Sequence, residues 1–196
     1  MKAKAPQRGR LRIIAGVWRG RPIATLSDDS VRPTADRVRE ALFNRLAHGF
    51  KDDGFDLGGA TVVDVCAGSG ALGLEALSRG AAQAIFIDQA TPALSLIREN
   101  IATLGAEDRA TVISAAAQSL PRAPRACDLA LIDPPYDHGL ATPILATLAA
   151  QGWLRHGAVV SVETGADETF DVPPGYDLRD RRKYGRAAIT FLVKSA

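Results

Sequence analysis

Two short stretches of this 196-residue chain combine residue types at spacings that suggest chemistry. The first, Gly68-Ser-Gly70-Ala-Leu-Gly73, is a G-x-G-x-x-G pattern between an apolar run at 61–66 and a helical pattern at 71–79. Such a turn needs positive φ, lets a ligand approach the backbone closely, and presents the free N–H groups of a helix N-terminus. Asp88 follows eighteen residues after Gly70, where a carboxylate can accept both hydrogen bonds of a ribose diol. This pairing suits NAD and S-adenosylmethionine alike. Asp64 lies inside the apolar run, where a carboxylate is costly unless it is paired. It either faces a ligand bearing an ammonium or sulfonium, or ties down N–H groups of the loop.

The second stretch is Asp133-Pro134-Pro135-Tyr136, at the end of the apolar run 129–132. The prolines lack N–H donors and fix φ, so the loop is rigid and its carbonyls are acceptors. With the Asp133 carboxylate and the flat ring of Tyr136, this makes a set of acceptors beside a stacking platform. It suits the exocyclic amine of a nucleobase. Two acceptors, the Asp133 carboxylate and the Pro134 carbonyl, can hold the two amine hydrogens. The nitrogen then becomes pyramidal and aims its lone pair at an electrophilic methyl group. Catalysis of this kind is mainly orientation and electrostatics. The bland alternative is a proline turn in which Asp133 caps the next helix.

These stretches need strands that end side by side. From residue 60 the pattern alternates strand and helix: strands at 61–66, 84–87, 110–114, 129–132 and 158–162, helices at 71–79, 91–104 and 141–150, and a brief helix after 114. Thr91 is expected as the cap of the second helix, with Pro92 at its first position. A closing hairpin is expected from 176–183 and 186–193 around Gly185. Alternation of this kind predicts an α/β fold, a doubly wound, mostly parallel sheet with helices on both faces. Ligands of such sheets sit beyond the carboxyl ends of the strands, so both stretches should face one crevice. Ahead of this unit, 11–15 and 21–26 read as a small β-hairpin. A helix carrying Val38, Leu42 and Leu46 follows, capped by Thr34 or Asp36, and 49–59 reads as a linker. The expected division is 1–48 as a basic hairpin and helix extension, and 49–196 as the catalytic domain.

Hydrophobic residues make up 46% and charged residues 23%, an ordinary globular composition that argues against disorder. No apolar run approaches the ~20 residues of a membrane span, and the first ten residues lack the apolar region of a secretory signal. Cys66 and Cys127 are far apart and fit neither a disulfide framework nor a zinc site. A reducing, cytoplasmic setting follows. The net charge of +2 is unevenly placed: residues 1–45 hold eleven Lys/Arg against four acids, and the remainder thirteen against eighteen. A basic arm on an acidic body suggests a polyanion partner. In Trp18-Arg-Gly-Arg21 an aromatic ring and guanidiniums could stack on bases and bind phosphates together. The expected RNA contacts are Arg10, Arg12, Trp18, Arg19, Arg21, Arg37 and Arg39. A second cluster, Arg179, Arg181, Arg182, Lys183 and Arg186, is either a further contact or a solvated face.

The chain resembles the RsmD family, bacterial 16S rRNA (guanine-N2)-methyltransferases, across nearly its whole length. The resemblance lies in Arg12-Ile-Ile-Ala-Gly-Val-Trp-Arg-Gly-Arg21, in Arg32-Pro-Thr-Ala-Asp-Arg-Val-Arg-Glu-Ala-Leu-Phe-Asn44, in Ala67-Gly-Ser-Gly-Ala-Leu-Gly-Leu-Glu-Ala-Leu-Ser-Arg-Gly80 and in Asp133-Pro-Pro-Tyr136. Gly152-Trp153-Leu154 and Glu163 also fall where that family has similar residues. The resemblance implies a Rossmann-like class I methyltransferase fold with a seven-stranded sheet, a reversed last hairpin, and an N-terminal hairpin that grips RNA. It implies S-adenosyl-L-methionine as cofactor, leaving S-adenosyl-L-homocysteine, held by Asp64, Ala67, Gly68, Ser69, Gly70, Leu72, Asp88 and Gln89. Arg32 and Thr34 would close over cofactor and target, and Asp133 to Tyr136 would form the catalytic loop. The implied substrate is one guanine of 16S rRNA, presented with ribosomal proteins bound in a partly assembled small subunit.

One departure stands out. Such enzymes often end the third strand in a polar residue that binds the adenine amine, whereas this chain has Ser114-Ala-Ala-Ala117. Either the backbone at Ala115 and Ala116 makes that contact, or adenine is held more loosely. Asp-Pro-Pro-Tyr alone fits an adenine-N6 or cytosine-N4 methyltransferase equally well, and the N-terminal strings favour guanine. An NAD-dependent oxidoreductase would leave Asp133-Pro-Pro-Tyr136 without a role, and an inert RNA-binding module would not need an intact glycine turn. His48, His138 and His156 fit no ligand spacing, so no metal is expected. Trp153 reads as core, and Cys66 as a small apolar residue rather than a nucleophile.

Overall fold

The computed structural model describes the backbone of residues 9–25, 33–136 and 138–195, and the side chains of 11–25, 36–136 and 138–195. A seven-stranded sheet runs through the molecule in the order β5(Ala110–Ser114)-β4(Gln83–Asp88)-β3(Thr61–Val65)-β6(Cys127–Ile132)-β7(Leu154–Gly165)-β9(Ala187–Lys194)-β8(Tyr176–Tyr184). The first five are parallel, while β9 runs antiparallel to both β7 and β8. This is the doubly wound sheet with a reversed final hairpin that the pattern and the resemblance predict.

The central strands are apolar because both of their faces are covered. Alternate residues face opposite cores: Val62, Phe86, Leu129 and Leu131 belong to one, and Val63, Val65, Ile85, Ala130 and Ile132 to the other. The first core is closed by α1(Pro33–His48), α2(Ala71–Ser78) and α3(Thr91–Leu104), and the second by α4(Ala141–Ala150). Trp153 is fully buried in the second core, and its indole N–H donates to the Pro121 carbonyl at 2.9 Å.

Several boundaries differ from expectation. The cap of α3 is Ala90, and Thr91 is already helical. No helix forms over 115–126, where Pro121 and Pro124 cannot supply helical N–H groups. The strand expected at 158–162 begins at Leu154, because Leu154 pairs with Cys127 and a register shift then carries the strand past exposed Arg155 and His156. That polar interruption hides the strand's true length.

The N-terminal hairpin pairs β1(Gly9–Arg12) with β2(Pro22–Thr25). Between them, residues 13–21 form an irregular loop whose backbone groups need partners from elsewhere. Glu75 on α2 supplies two: its carboxylate accepts the N–H groups of Ile14 at 2.8 Å and Ala15 at 3.0 Å. Ser78 accepts the Trp18 N–H on its hydroxyl and the Val17 N–H on its carbonyl. Gly16, at φ +84°, lies so close to Ser78 that a Cβ there would overlap its carbonyl oxygen. Asn100 on α3 accepts the Ala24 N–H and donates to the carbonyls of both Ala24 and Ser69. Hairpin, helices and glycine turn are therefore fastened together by buried polar groups, and Ile13, Trp18, Ile23 and Val38 join the first core.

Glu75 is fully buried, with Arg79 at 2.7 Å and Arg39 at 4.0 Å. Replacing it with glutamine leaves these guanidiniums and N–H groups short of an acceptor charge. Glu75→Gln should lower stability by about 3–5 kcal/mol, measured by urea denaturation; a loss below about 1 kcal/mol would mean that the hairpin docks by other forces.

Candidate active site

Beyond the carboxyl ends of β3 and β6 lies a cleft of about 1190 Å³. β3 and β6 are parallel neighbours with Val65 opposite Ile132, so the chain leaves both strands at the same height. The Asp133 N–H points at the Val65 carbonyl, 3.4 Å away, and ties the two exits together.

The glycine turn is strongly curled. Cys66, Gly68 and Gly70 all have positive φ, at 61°, 56° and 77°. For Cys66 that is a rare, strained conformation. The turn is held by Ala67 N–H to Ile87 carbonyl and by Gly70 N–H to Ala67 carbonyl. Gly73 permits helix and sheet to meet: a Cβ there would lie 2.4 Å from the Phe86 ring and 3.1 Å from Asp64. Asp64 accepts the Gly73 N–H at 2.8 Å. It thus ties down the loop, one of the two roles open to it, while also lining the cleft. Asp88 accepts the N–H of Gly68 on one oxygen and that of Ala90 on the other, both at 2.9 Å. It shapes the turn with one lone pair of each oxygen, and a second lone pair on each is left over.

The cleft brings Asp64, Ala67, Gly68, Ser69 and Leu72 together with Asp133 and Tyr136. Gly70 is buried beneath them, and Pro134 is buried behind Asp133. Asp88 and Gln89 at the tip of β4, and Ala115 and Ala116 at the tip of β5, sit on the neighbouring strand ends outside the cleft lining. Arg32 lies outside the described residues, as do the side chains of Thr34 and Arg10.

Glu163, near the end of β7, joins the site: the Tyr136 hydroxyl donates to its carboxylate. Its position in a strand of valines gives no sign of this partnership. The cleft also carries Asp167 and Glu168 on its rim, so its charged lining is five acids against Arg39 and Arg186. Burial, and then the charges of Glu163 and Asp64, push the Asp133 carboxyl well above the usual range; protein crowds it on most sides, although it opens to the cleft. Burial raises the Glu163 carboxyl too, opposed by the hydrogen bond from Tyr136. Burial and the Glu163 hydrogen bond raise the Tyr136 phenol. Burial, then the charges of Asp88 and Asp133, push the Cys66 thiol up to about 12, which keeps it protonated and unreactive. Among the described residues, no group of three or more His, Cys, Asp or Glu could hold a metal ion, and no helix is long and apolar enough to cross a membrane.

The basic arm is less available than its sequence suggests. Trp18 is buried at 8% exposure with the Arg109 guanidinium 4.9 Å above its ring, so its face is already stacked. Arg39 is buried too, bonded to the Asp36 carboxylate and the Arg12 carbonyl. Arg21 is spent on the carbonyls of Thr103 and Leu104 at the end of α3, where a cation complements the helix dipole. Arg12, Arg19, Arg21 and Arg37 are all exposed, with Arg12 also bonded to the Gly20 carbonyl. In the C-terminal cluster, Arg179, Arg182 and Lys183 pair with Asp53, Asp180 and Asp167.

Burial raises Asp64 to about 8, and the Asp88 charge adds to this while the Gly73 N–H opposes it. The folded value lies above the unfolded one of about 3.9, so the native state holds this proton longer. Its contribution to stability is greatest below about pH 4 and is lost as pH rises toward 8. Asp64→Asn keeps an acceptor for Gly73 and removes the titration. The stability of the wild type relative to this variant should fall between pH 5 and pH 8, followed by urea denaturation across that range; a difference that rises with pH would contradict the assignment.

A sequence profile of the family described as Conserved hypothetical protein 95 matches residues 11–193. Ribosomal RNA small subunit methyltransferase D of Escherichia coli K12 is 36% identical over 189 residues, covering 96% of this chain and 92% of the relative. The protein of the same name from Haemophilus influenzae is 33% identical, covering 91% of each. The solved structure of the methyltransferase yhhF from Escherichia coli superposes with a TM-score of 0.81 at 36% identity, covering 96% of this chain and 99% of that one. The chain belongs to the RsmD family of ribosomal RNA small subunit methyltransferases.

Proposed function

We propose that this protein transfers a methyl group from S-adenosyl-L-methionine to the exocyclic N2 amine of a guanine in 16S rRNA, the RNA being presented within a partly assembled small subunit. The observation that carries this reading is the shared cleft: the Gly68 turn and the Asp133-Pro-Pro-Tyr136 loop open into one space lined by carboxylates. That lining fits a cationic ligand. A sulfonium and an ammonium beside Asp64 and Asp133 would lower the cost of burying those charges, whereas the pyrophosphate of NAD would raise it. When bound, the cofactor supplies an electrophilic methyl group.

The chain's own residues do the rest. Asp133 and the Pro134 carbonyl accept the two amine hydrogens, so the nitrogen lone pair points away from the ring plane. Tyr136 stacks on the base, and its hydroxyl bond to Glu163 fixes the ring's tilt. The Asp133 carboxylate, held high by burial and its neighbours, can take the proton that N2 sheds after methylation. Ala67, Gly68 and Ser69 form the floor on the cofactor side. Residues 1–48 act as the RNA-gripping extension through the exposed Arg12, Arg19 and Arg37, and 49–196 as the methyltransferase domain. Trp18 and Arg39 take no part in RNA contact, because both are packed inside.

Mass spectrometry of rRNA nucleosides from cells with and without the protein tests the substrate. Loss of N2-methylguanosine is expected, and loss of N6-methyladenosine instead would establish the adenine alternative. With purified protein, Asp133→Ala should lower turnover by about 100-fold or more while cofactor affinity by calorimetry changes less than about threefold; wild-type turnover would remove Asp133 from the mechanism. Arg19→Glu with Arg37→Glu should weaken RNA binding and make its salt dependence shallower by about one to two in log–log slope. An unchanged slope would place the RNA elsewhere.

A further inference from the structure

We infer that Glu163 is the residue that selects guanine, its carboxylate accepting the N1–H of the base whose N2 amine faces Asp133. The inference rests on the methyl-transfer reading above and adds the base-discriminating contact to it.

Glu163 and Asp133 are neighbours by construction. β6 and β7 are parallel with Ile132 opposite Val162, so residues 133 and 163 follow side by side at the sheet's carboxyl edge. Both line the cleft. Glu163 stands in a run of buried valines, Val159, Val160 and Val162, where a carboxylate has no packing reason to be. Among the described residues its hydrogen-bond partner is the Tyr136 hydroxyl, which donates to one oxygen and leaves the other for a ligand. The same bond sets the tilt of the ring on which a base would stack, while the place of the carboxylate itself is set by the register of β7 on β6.

Asp133 and Glu163 then present two carboxylates side by side in the cleft, at the start of the loop that carries the Pro134 carbonyl. Guanine offers the matching edge, two N2 hydrogens followed by N1–H. Adenine places the N1 lone pair beside its amine, and cytosine places the N3 lone pair there. Either would bring an acceptor against a half-buried carboxylate. A site built to hydrogen-bond a donor rejects the analogue that lacks it far more strongly than an apolar pocket could, because its own polar group is left unpaired.

The test compares two synthetic RNAs, each supplied naked and bound to small-subunit proteins. One carries the guanine mapped by nucleoside mass spectrometry. The other carries 2-aminopurine there, which keeps the N2 amine but has a lone pair at N1. The wild type should prefer guanine by at least about 100-fold in kcat/KM. Glu163→Gln keeps a carbonyl for the Tyr136 hydroxyl and turns an amide N–H toward N1, so the preference should narrow at least tenfold or invert. Tyr136→Phe keeps the ring and Glu163; it should slow both RNAs together and keep the preference. The ratio is internal to each protein, so a general loss of stability does not move it. A wild-type ratio near one, or a Glu163→Gln ratio equal to wild type, overturns the role of Glu163 alone. Failure of the wild type to methylate the guanine RNA in either form overturns the underlying methyl-transfer reading, and this inference with it.

Discussion

The site depends on β3 and β6 lying side by side although more than sixty residues separate them in the chain. At that seam the sheet changes its direction of growth: β4 and β5 build outward on one side, β6 and β7 on the other. The helices after β3 and β4 cover one face, and the helix after β6 covers the opposite face. The connections therefore diverge at the seam and leave a crevice between them. The residue just past each strand inherits a place in that crevice from backbone register alone. This explains why a cysteine with a left-handed backbone and a rigid proline loop meet there. The geometry is set by hydrogen-bonded strands with buried faces, which are among the least deformable parts of a fold.

The second constraint is polar. A loop as irregular as 13–21 cannot satisfy its own backbone, so it can pack against the body only where the body supplies acceptors and donors in the right places. Glu75, Ser78 and Asn100 do this from three positions on two helices. An apolar contact would tolerate sliding, whereas a set of buried hydrogen bonds admits one register. The consequence reaches the cleft, because Leu11, Val38 and Arg39 line its wall from the hairpin side. Asn100 extends the link by donating to both Ala24 and Ser69, so hairpin and glycine turn share one side chain.

The parts legible in the sequence are those whose signal is local. The glycine turn, the Asp133 loop and the strand-helix alternation each announce themselves within a dozen residues, and the structure reproduces them nearly in register. Misreadings arise where the deciding partner is distant. Trp18 sits among arginines and reads as a nucleic-acid platform, yet Arg109, far along the chain, stacks on it within the core. Arg39 reads as part of a basic face, but it is buried, bonded to the Arg12 carbonyl and Asp36 and 4.0 Å from the buried Glu75. Asp88, read as a ribose ligand, has a second task that the sequence does not show, organising the N–H groups of Gly68 and Ala90. Glu163 is the converse case: a charge in a valine strand whose meaning comes only from the register of β7 on β6. Local pattern identifies elements, and the pairing of elements decides which side chains are free to act.

Charge distribution imposes a division of labour on any nucleic-acid substrate. The cleft holds Asp64, Asp133 and Glu163 within its walls and Asp167 and Glu168 at its rim, against Arg39 and Arg186, while the exposed Arg12, Arg19 and Arg37 lie on the hairpin and α1 outside it. A phosphate brought to within about 4 Å of one such carboxylate in its ionised form would meet a repulsion of roughly 4 kcal/mol at an effective dielectric constant of 20. The backbone of an RNA is therefore kept at the arginines and out of the cleft. A neutral base meets no such barrier, and its donor edge is drawn inward. Nucleotide and backbone can satisfy these opposite preferences together only if the base swings away from its phosphates, so the field of the protein itself favours an extruded base over a stacked one.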